Sequence, residues 1–209
     1  MERSLAEVCV LSGEGLELGG EVVVARLMAD VLEALNYLHS RGVVHRDVRS
    51  DNLLFSTDGR LLLADFFHAV QLTEERPTRD EVVGVWYWMA PELRAGQPYN
   101  TAVDIYSLGA TLWELLEGVP PHSEIEDVEY LRTIRHLPPL SQPQRWSEQL
   151  RSFLAMCAEE PSRRPSAAAL LESPFIRRAC SRSDVVALLN RARLLEDELH
   201  RQEAAAAMI

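Results

Sequence analysis

One eight-residue run concentrates side chains able to do chemistry: His45-Arg46-Asp47-Val48-Arg49-Ser50-Asp51-Asn52. Thirteen residues after Asn52 comes Asp65-Phe66-Phe67, and a long polar stretch then ends at Ala90-Pro91-Glu92. Carboxylates, one amide and two guanidinium groups dominate the set. Taken singly, each residue reads as a surface aspartate or a turn asparagine; order and spacing single them out. The six histidines lack metal-ligand spacing, and so do the three cysteines, Cys9, Cys157 and Cys180.

The basic side chains narrow the chemistry further. All 21 are Arg, and the 209 residues contain no Lys. No Schiff-base lysine is available, so pyridoxal-phosphate chemistry is excluded. A Walker-type phosphate loop is excluded for the same reason. Any phosphate-handling lysine must be replaced by Arg, supplied by another chain, or missing. The Gly-rich stretch 12–20 misses the G-x-G-x-x-G spacing and lacks a preceding strand, so it reads as a loop. A formal net charge of -11 argues against a nucleic-acid-binding surface. The odd cysteine count fits a reduced intracellular protein. Glu2, Arg3 and Glu7 interrupt any signal-peptide core, and no run approaches the ~18 apolar residues of a membrane span. The expected location is cytoplasmic.

Elements that could position the chemical run are legible from periodicity. Val24, Leu27, Met28, Val31, Leu32, Leu35 and Leu38 predict a helix over 21–40, closed by Arg41 and Gly42. Short strands are expected at 43–44, 53–55 and 61–64, with Thr57-Asp58-Gly59 as a hairpin turn. Residues 66–100 read as a mostly irregular, acidic loop, a length that is usually functional. A second helix over 101–117 is apolar almost all round, as a central buried helix is. Further helices are expected at about 127–135, 147–157 and 166–172, separated by proline-rich breaks. A last amphipathic helix over 184–202, capped by Ser183, carries Val185, Leu188, Leu189, Ala192, Leu195 and Leu199.

In this order and on these elements, the three runs resemble a protein kinase's H-R-D-x-x-x-x-N catalytic loop, D-F-G magnesium motif and A-P-E segment end. Asp104-Ile105-Tyr106-Ser107-Leu108-Gly109 resembles the D-x-W-S-x-G of the central helix. Arg163-Arg164-Pro165-Ser166 and Ser173-Pro174-Phe175 resemble the R-P-[ST] and H-P-F of the last helices. The runs HRDVRSDNLL, GVWYWMAPE, VDIYSLG and PFIRRACS look like PAK-like serine/threonine kinases of the sterile-twenty group, and the resemblance extends from Ser4 to about Arg193. In that alignment Met1 falls just after the hinge. The expectation is a protein-kinase-like fold, mainly α with a few short β-strands, comprising the large C-terminal lobe only, without an N-lobe. Residues 1–178 would form this partial kinase domain, and 179–209 a C-terminal amphipathic helix and tail packed on it.

The resemblance implies ATP and magnesium as cofactors, and roles for particular residues. Asp47 would accept the proton of a substrate hydroxyl. Asn52 and Asp65 would hold magnesium, with no cofactor-binding residues beyond them. His45 and Arg46 would support the loop, Asp104 would brace its backbone, and Glu92 would pair with Arg164. Four departures stand against activity. The N-lobe's Gly-rich loop, strand Lys and helix Glu have no candidate, so this chain alone is expected to be inactive. The catalytic-loop lysine is Arg49, which keeps the charge but not its compact geometry. The glycine of D-F-G is Phe67, where glycine tolerates φ values that a Phe resists. Val85 replaces a threonine that would bond back to Asp47. In the PAK-like alignment the activating phosphothreonine position, three before Gly84, is Glu81, preceded by Asp80; either would reach toward Arg46 and partly mimic the phosphate. Two functions follow. One is ATP-dependent phosphoryl transfer to protein hydroxyls, completed by an N-lobe and linked to a small GTPase through a regulatory region outside these residues. The other is a pseudokinase-like scaffold or docking module.

Overall fold

The computed structural model describes residues 3–11 and 20–206. The loop reading of 12–20 therefore lies outside the described residues apart from Gly20. Eight α-helices, three 3-10 turns and five short strands are seen among the described residues.

Strand β1 (Arg3–Ser4) runs directly into helix α1 (Leu5–Leu11). Helix α2 (Gly20–His39) buries Val24, Leu27, Met28, Val31, Leu32 and Leu35 of the stripe that its periodicity predicts, together with Val23, while Leu38 is half-buried. Strand β2 (Val43–Val44) enters the chemical run. Strands β3 (Leu53–Phe55) and β4 (Leu61–Leu63) leave it as an antiparallel hairpin, with Leu53 opposite Leu63 and Phe55 opposite Leu61. β1 adds to the other edge of β3, with Arg3 opposite Phe55 and Ser4 opposite Leu54, making a three-stranded sheet. β5 (Val70–Gln71) pairs antiparallel with β2.

The expectation of a bare C-terminal lobe is corrected here: the fold opens with an N-terminal strand in a β-sheet, where the sequence reading placed no element. The physical reason is the hairpin edge. The free N–H and C=O groups of β3 recruit a partner strand, and two residues are too few to show an alternating pattern.

Helix α3 (Pro91–Arg94) is a single turn with proline in its first turn. Helix α4 (Ala102–Glu117) is buried on nearly every side and ends on Gly118 in the left-handed region. It passes so close to α6 (Glu148–Cys157) that a Cβ at Gly109 would stand 2.6 Å from that of Cys157. α5 (Val128–Thr133) and α7 (Ala167–Leu171) are short, capped by the side chains of Asp127 and Ser166 respectively. Helix α8 (Arg182–Ala206) begins two residues earlier than expected. Ser181 and Asp184 bond each other across its first turn, as in a capping box, so Ser183 lies inside the helix.

The larger apolar cluster gathers α1, α2, one side of α4, α6, α7 and Val185, Leu188 and Ala192 of α8. A smaller cluster joins Val44, Trp88, Met89, Ala90, Leu93 and Tyr99 to Val103, Tyr106 and Ala110 of α4. The chemical run lies over α4, between these clusters.

Candidate active site

The loop from His45 to Asn52 hangs on a polar stripe of α4. Asp104, Ser107, Thr111 and Glu114 recur at helical spacing and share one face. Asp104, 0% exposed, accepts from the His45 N–H at 2.9 Å and the Arg46 N–H at 2.8 Å. His39 Nε2 lies 2.9 Å from the same carboxylate. Thr111 Oγ1 donates to the Val48 carbonyl at 3.4 Å. Ser107 Oγ donates to the Trp88 carbonyl at 2.8 Å. Glu114 accepts from Ser50 Oγ at 2.7 Å and from Trp88 Nε1 at 2.9 Å.

His45 is a buried support. Its Nδ1 accepts from the Asp47 N–H at 3.3 Å, so the ring proton sits on Nε2 and is donated to the Ala64 carbonyl at 3.0 Å. Burial holds its pKa below the ordinary histidine value, against the pull of Asp104 and the Ala64 carbonyl. Arg46 takes the left-handed region, φ 68°. It donates to the His68 carbonyl at 2.6 Å and to Tyr99 Oη at 2.9 Å.

Asp47 is 7% exposed, and its geometry is locked by Asn52. The Asn52 amide donates to the Asp47 carbonyl at 2.8 Å and to Asp47 Oδ2 at 2.7 Å. Both amide hydrogens are engaged this way, which leaves the Asn52 amide oxygen for another partner. Arg49 Nε stands 3.5 Å from Asp47 Oδ1, an ion pair without a hydrogen bond, and Arg49 also pairs with Asp51. Its guanidinium lies 5.8 Å from the centre of the Trp88 ring.

Asp65 follows Ala64, whose N–H donates to the Asn52 carbonyl at 2.9 Å. Its backbone is left-handed, φ 59°, and its Oδ1 accepts from the Phe67 N–H at 3.2 Å. Phe67 has no positive φ, so the strain expected from replacing glycine there does not arise; the left-handed position is taken by Asp65, a residue type that tolerates it. Phe67 is 86% exposed, while Phe66 packs edge-on against His45 at 4.9 Å.

The segment from Asp65 to Glu92 is pinned at three points. Glu81 lies 3.4 Å from Arg46, 2.9 Å from Arg76 and 3.3 Å from Arg79. Its pKa is held below the ordinary carboxylate range by a hydrogen bond to its own backbone and by these arginines. Asp80 instead faces Arg76, at 3.5 Å. Gly84 adopts φ 107°, and a Cβ there would meet the Arg46 carbonyl at 2.6 Å. Val85 is half-buried against the smaller cluster. At the far end, buried Glu92 accepts from Arg164 at 2.6 Å.

The structure thus brings Asp47, Arg49 and Asn52 into one contact group, Arg46 with Glu81, and Glu92 with Arg164. No site role was assigned from the sequence to Ser50, Trp88, Tyr99, Arg76, Arg79, Ser107, Thr111 or Glu114. The α4 stripe had a signal, four polar residues at helical spacing, hidden because the helix reads as apolar overall. Tyr99 and the two arginines had none, since only the folded segment brings them together.

The donors fit magnesium: a free amide oxygen on Asn52 and an exposed carboxylate on Asp65 are the hard oxygen ligands it takes. Among the described residues, no group of three or more His, Cys, Asp and Glu side chains could hold a metal. A magnesium shared with phosphate oxygens does not need one.

A loop locked by an aspartate–asparagine contact, braced from a central helix and followed by a pinned segment, is the arrangement of protein kinases. The family model for the protein kinase domain matches residues 11–176, and the chain belongs to that family. Among its relatives are PAK kinases. The chain is 41% identical over 177 residues to the serine/threonine-protein kinase pakA of Dictyostelium discoideum, covering 83% of this chain and 15% of that protein. It is 42% identical over 176 residues to PAK 5 of Rattus norvegicus, covering 83% and 24%. It is 39% identical over 176 residues to PAK 4 of Homo sapiens, covering 83% and 30%. The chain spans less than a third of the length of each of these relatives. The match is to the kinase domain as such, which again corrects the expectation of a C-terminal lobe alone. No described helix is long and apolar enough to cross a membrane.

Proposed function

We propose that the chain carries a phosphoryl-transfer centre acting on serine and threonine hydroxyls of proteins, with ATP as donor. One observation supports this most directly: the buried Asp47 carboxylate, fixed by Asn52 through Oδ2, keeps Oδ1 for a substrate hydroxyl. Asp47 Oδ1 would take the hydroxyl proton as the oxygen attacks. Arg49, 3.5 Å away, places a positive charge where the phosphoryl group would pass. Asn52 and Asp65 would hold magnesium, which when bound neutralises charge on the ATP phosphates. Glu81 would stand in for a phosphate, its carboxylate gathering Arg46, Arg76 and Arg79 so that the segment before Glu92 is ordered without modification. The net charge of -11 favours a basic acceptor.

The test is transfer of radiolabelled phosphate from ATP to myelin basic protein. Wild type should label it only with magnesium present, and Asp47→Asn should abolish labelling. The rival reading is a docking module without catalysis, favoured by the engagement of Asp65 Oδ1 with the Phe67 N–H. No labelling, together with no rise in Tm at saturating magnesium–ATP, would establish that rival.

A further inference from the structure

Glu114 is an unusual resident of a helix packed on nearly every side. Its carboxylate is mostly buried, and burial raises its pKa against the hydrogen bonds from Ser50 and Trp88. Both donors adjoin Arg49, one as its neighbour in the chain and the other through its ring. Ser50 follows Arg49 in the loop and opens the 3-10 turn that carries Asn52. Trp88, from the segment before Glu92, lays its ring against the Arg49 guanidinium, 5.8 Å from centre to carbon. The two oxygens are divided between these elements, Oε1 to Ser50 and Oε2 to Trp88.

We propose that Glu114 is a positioning residue: through Ser50 and Trp88 it sets where Arg49 stands relative to Asp47. The inference rests on the phosphoryl-transfer reading above. An arginine has a long side chain with several rotatable bonds, so a catalytic-loop arginine needs external support to act at one place. Asp51 and Asp47 pair with it, and the Trp88 ring lies beside its guanidinium. Without the Glu114 carboxylate, the indole N–H loses its acceptor and the ring is free to tilt. The serine hydroxyl loses the contact that seats the turn on α4.

The chemistry of the pair gives a discriminating variant. Glu114→Gln keeps a carbonyl oxygen for the Trp88 N–H, and its NH2 can donate to Ser50 Oγ, which accepts as readily as it donates. Glu114→Ala supplies neither. In labelled protein, the indole N–H resonance of Trp88, identified by its loss in Trp88→Phe, should move in Glu114→Ala and hold its place in Glu114→Gln. In the labelling assay, Glu114→Ala should lower kcat by about 100-fold, the scale of an ångström misplacement at a reacting centre, with KM for ATP within about twofold of wild type. Glu114→Gln should stay within about fivefold of wild type in kcat. An unmoved indole resonance in Glu114→Ala, or equal losses in Ala and Gln, would overturn the inference. Should Glu114→Ala fail to fold, Trp88→Phe carries the test, since it removes one donor and leaves the carboxylate. Its kcat should fall, and adding Glu114→Gln should cost little more; an unchanged kcat in Trp88→Phe overturns the inference. A wild type that transfers no phosphate would overturn the kinase reading and the catalytic part of this inference together. The indole resonance would still report whether Glu114 fixes Trp88.

Discussion

Asp104 makes three contacts with no exposed surface of its own, taking two loop N–H groups and His39. Truncation takes that acceptor away from both loop N–H groups and from the His39 ring. Asp104→Ala should cost about 3–5 kcal/mol, the range for removing one partner of a buried charged contact. Urea denaturation measures it, and a cost below about 1 kcal/mol would refute the bracing role. His45 adds a pH dependence. Its folded pKa is lowered by burial, so between the folded value and the ordinary value of 6.5 the unfolded chain binds more protons. Its stabilising contribution is therefore complete above the ordinary value and is lost as pH falls below it. The urea midpoint should drop between about pH 7.5 and 5.5, and His45→Asn should flatten that drop.

Helix α8 is fastened to α2 by a bidentate contact, Arg182 to the buried Asp30, at 3.0 Å for each guanidinium nitrogen. Asp30 also accepts from the Leu61 N–H at 3.0 Å, so one carboxylate ties α2, β4 and α8 together. Arg182→Ala leaves that carboxylate buried beside a single donor. With the arginine partly exposed, the expected loss is about 2–3 kcal/mol, just under the range for a fully buried pair. Asp30→Asn with Arg182→Ala should recover part of it, because no buried charge then lacks a partner. The long helices α2, α4, α6 and α8 were legible in the sequence because their apolar periods run for ten residues or more. β1, β5 and α3 were not: two to four residues carry no period, and each depends on an edge or a neighbour already in place. α1 also went unread, cut short by the Gly-rich stretch that follows it. In the site the pattern was the same. Asp47, Asn52, Asp65 and Asp104 could be found because they fall on short runs that resemble kinase motifs. The arginines around Glu81 and the Trp88–Glu114 contact could not, since the partners stand far apart in sequence and converge only when the segment folds over α4.

At the scale of the whole molecule, α4 belongs to both apolar clusters. Ile105, Leu108, Leu112, Leu115 and Leu116 face the larger, while Val103, Tyr106 and Ala110 face the smaller. The helix also carries the polar stripe that holds the site between them. Loosening either cluster therefore displaces a helix on which the other depends, and the two should melt as one unit. Trp88 reports on the smaller cluster, and far-ultraviolet circular dichroism reports on the helices packed in the larger. In a variant with Trp86, Trp113 and Trp146 changed to Phe, tryptophan fluorescence and circular dichroism should give one urea midpoint. Leu108→Ala, which opens a cavity at a side chain with no exposed surface, should lower stability by about 2–5 kcal/mol. Both probes should shift by the same amount, even though Leu108 faces only the larger cluster. Separate midpoints, or a shift confined to circular dichroism, would show that the clusters fold independently and that α4 does not couple them.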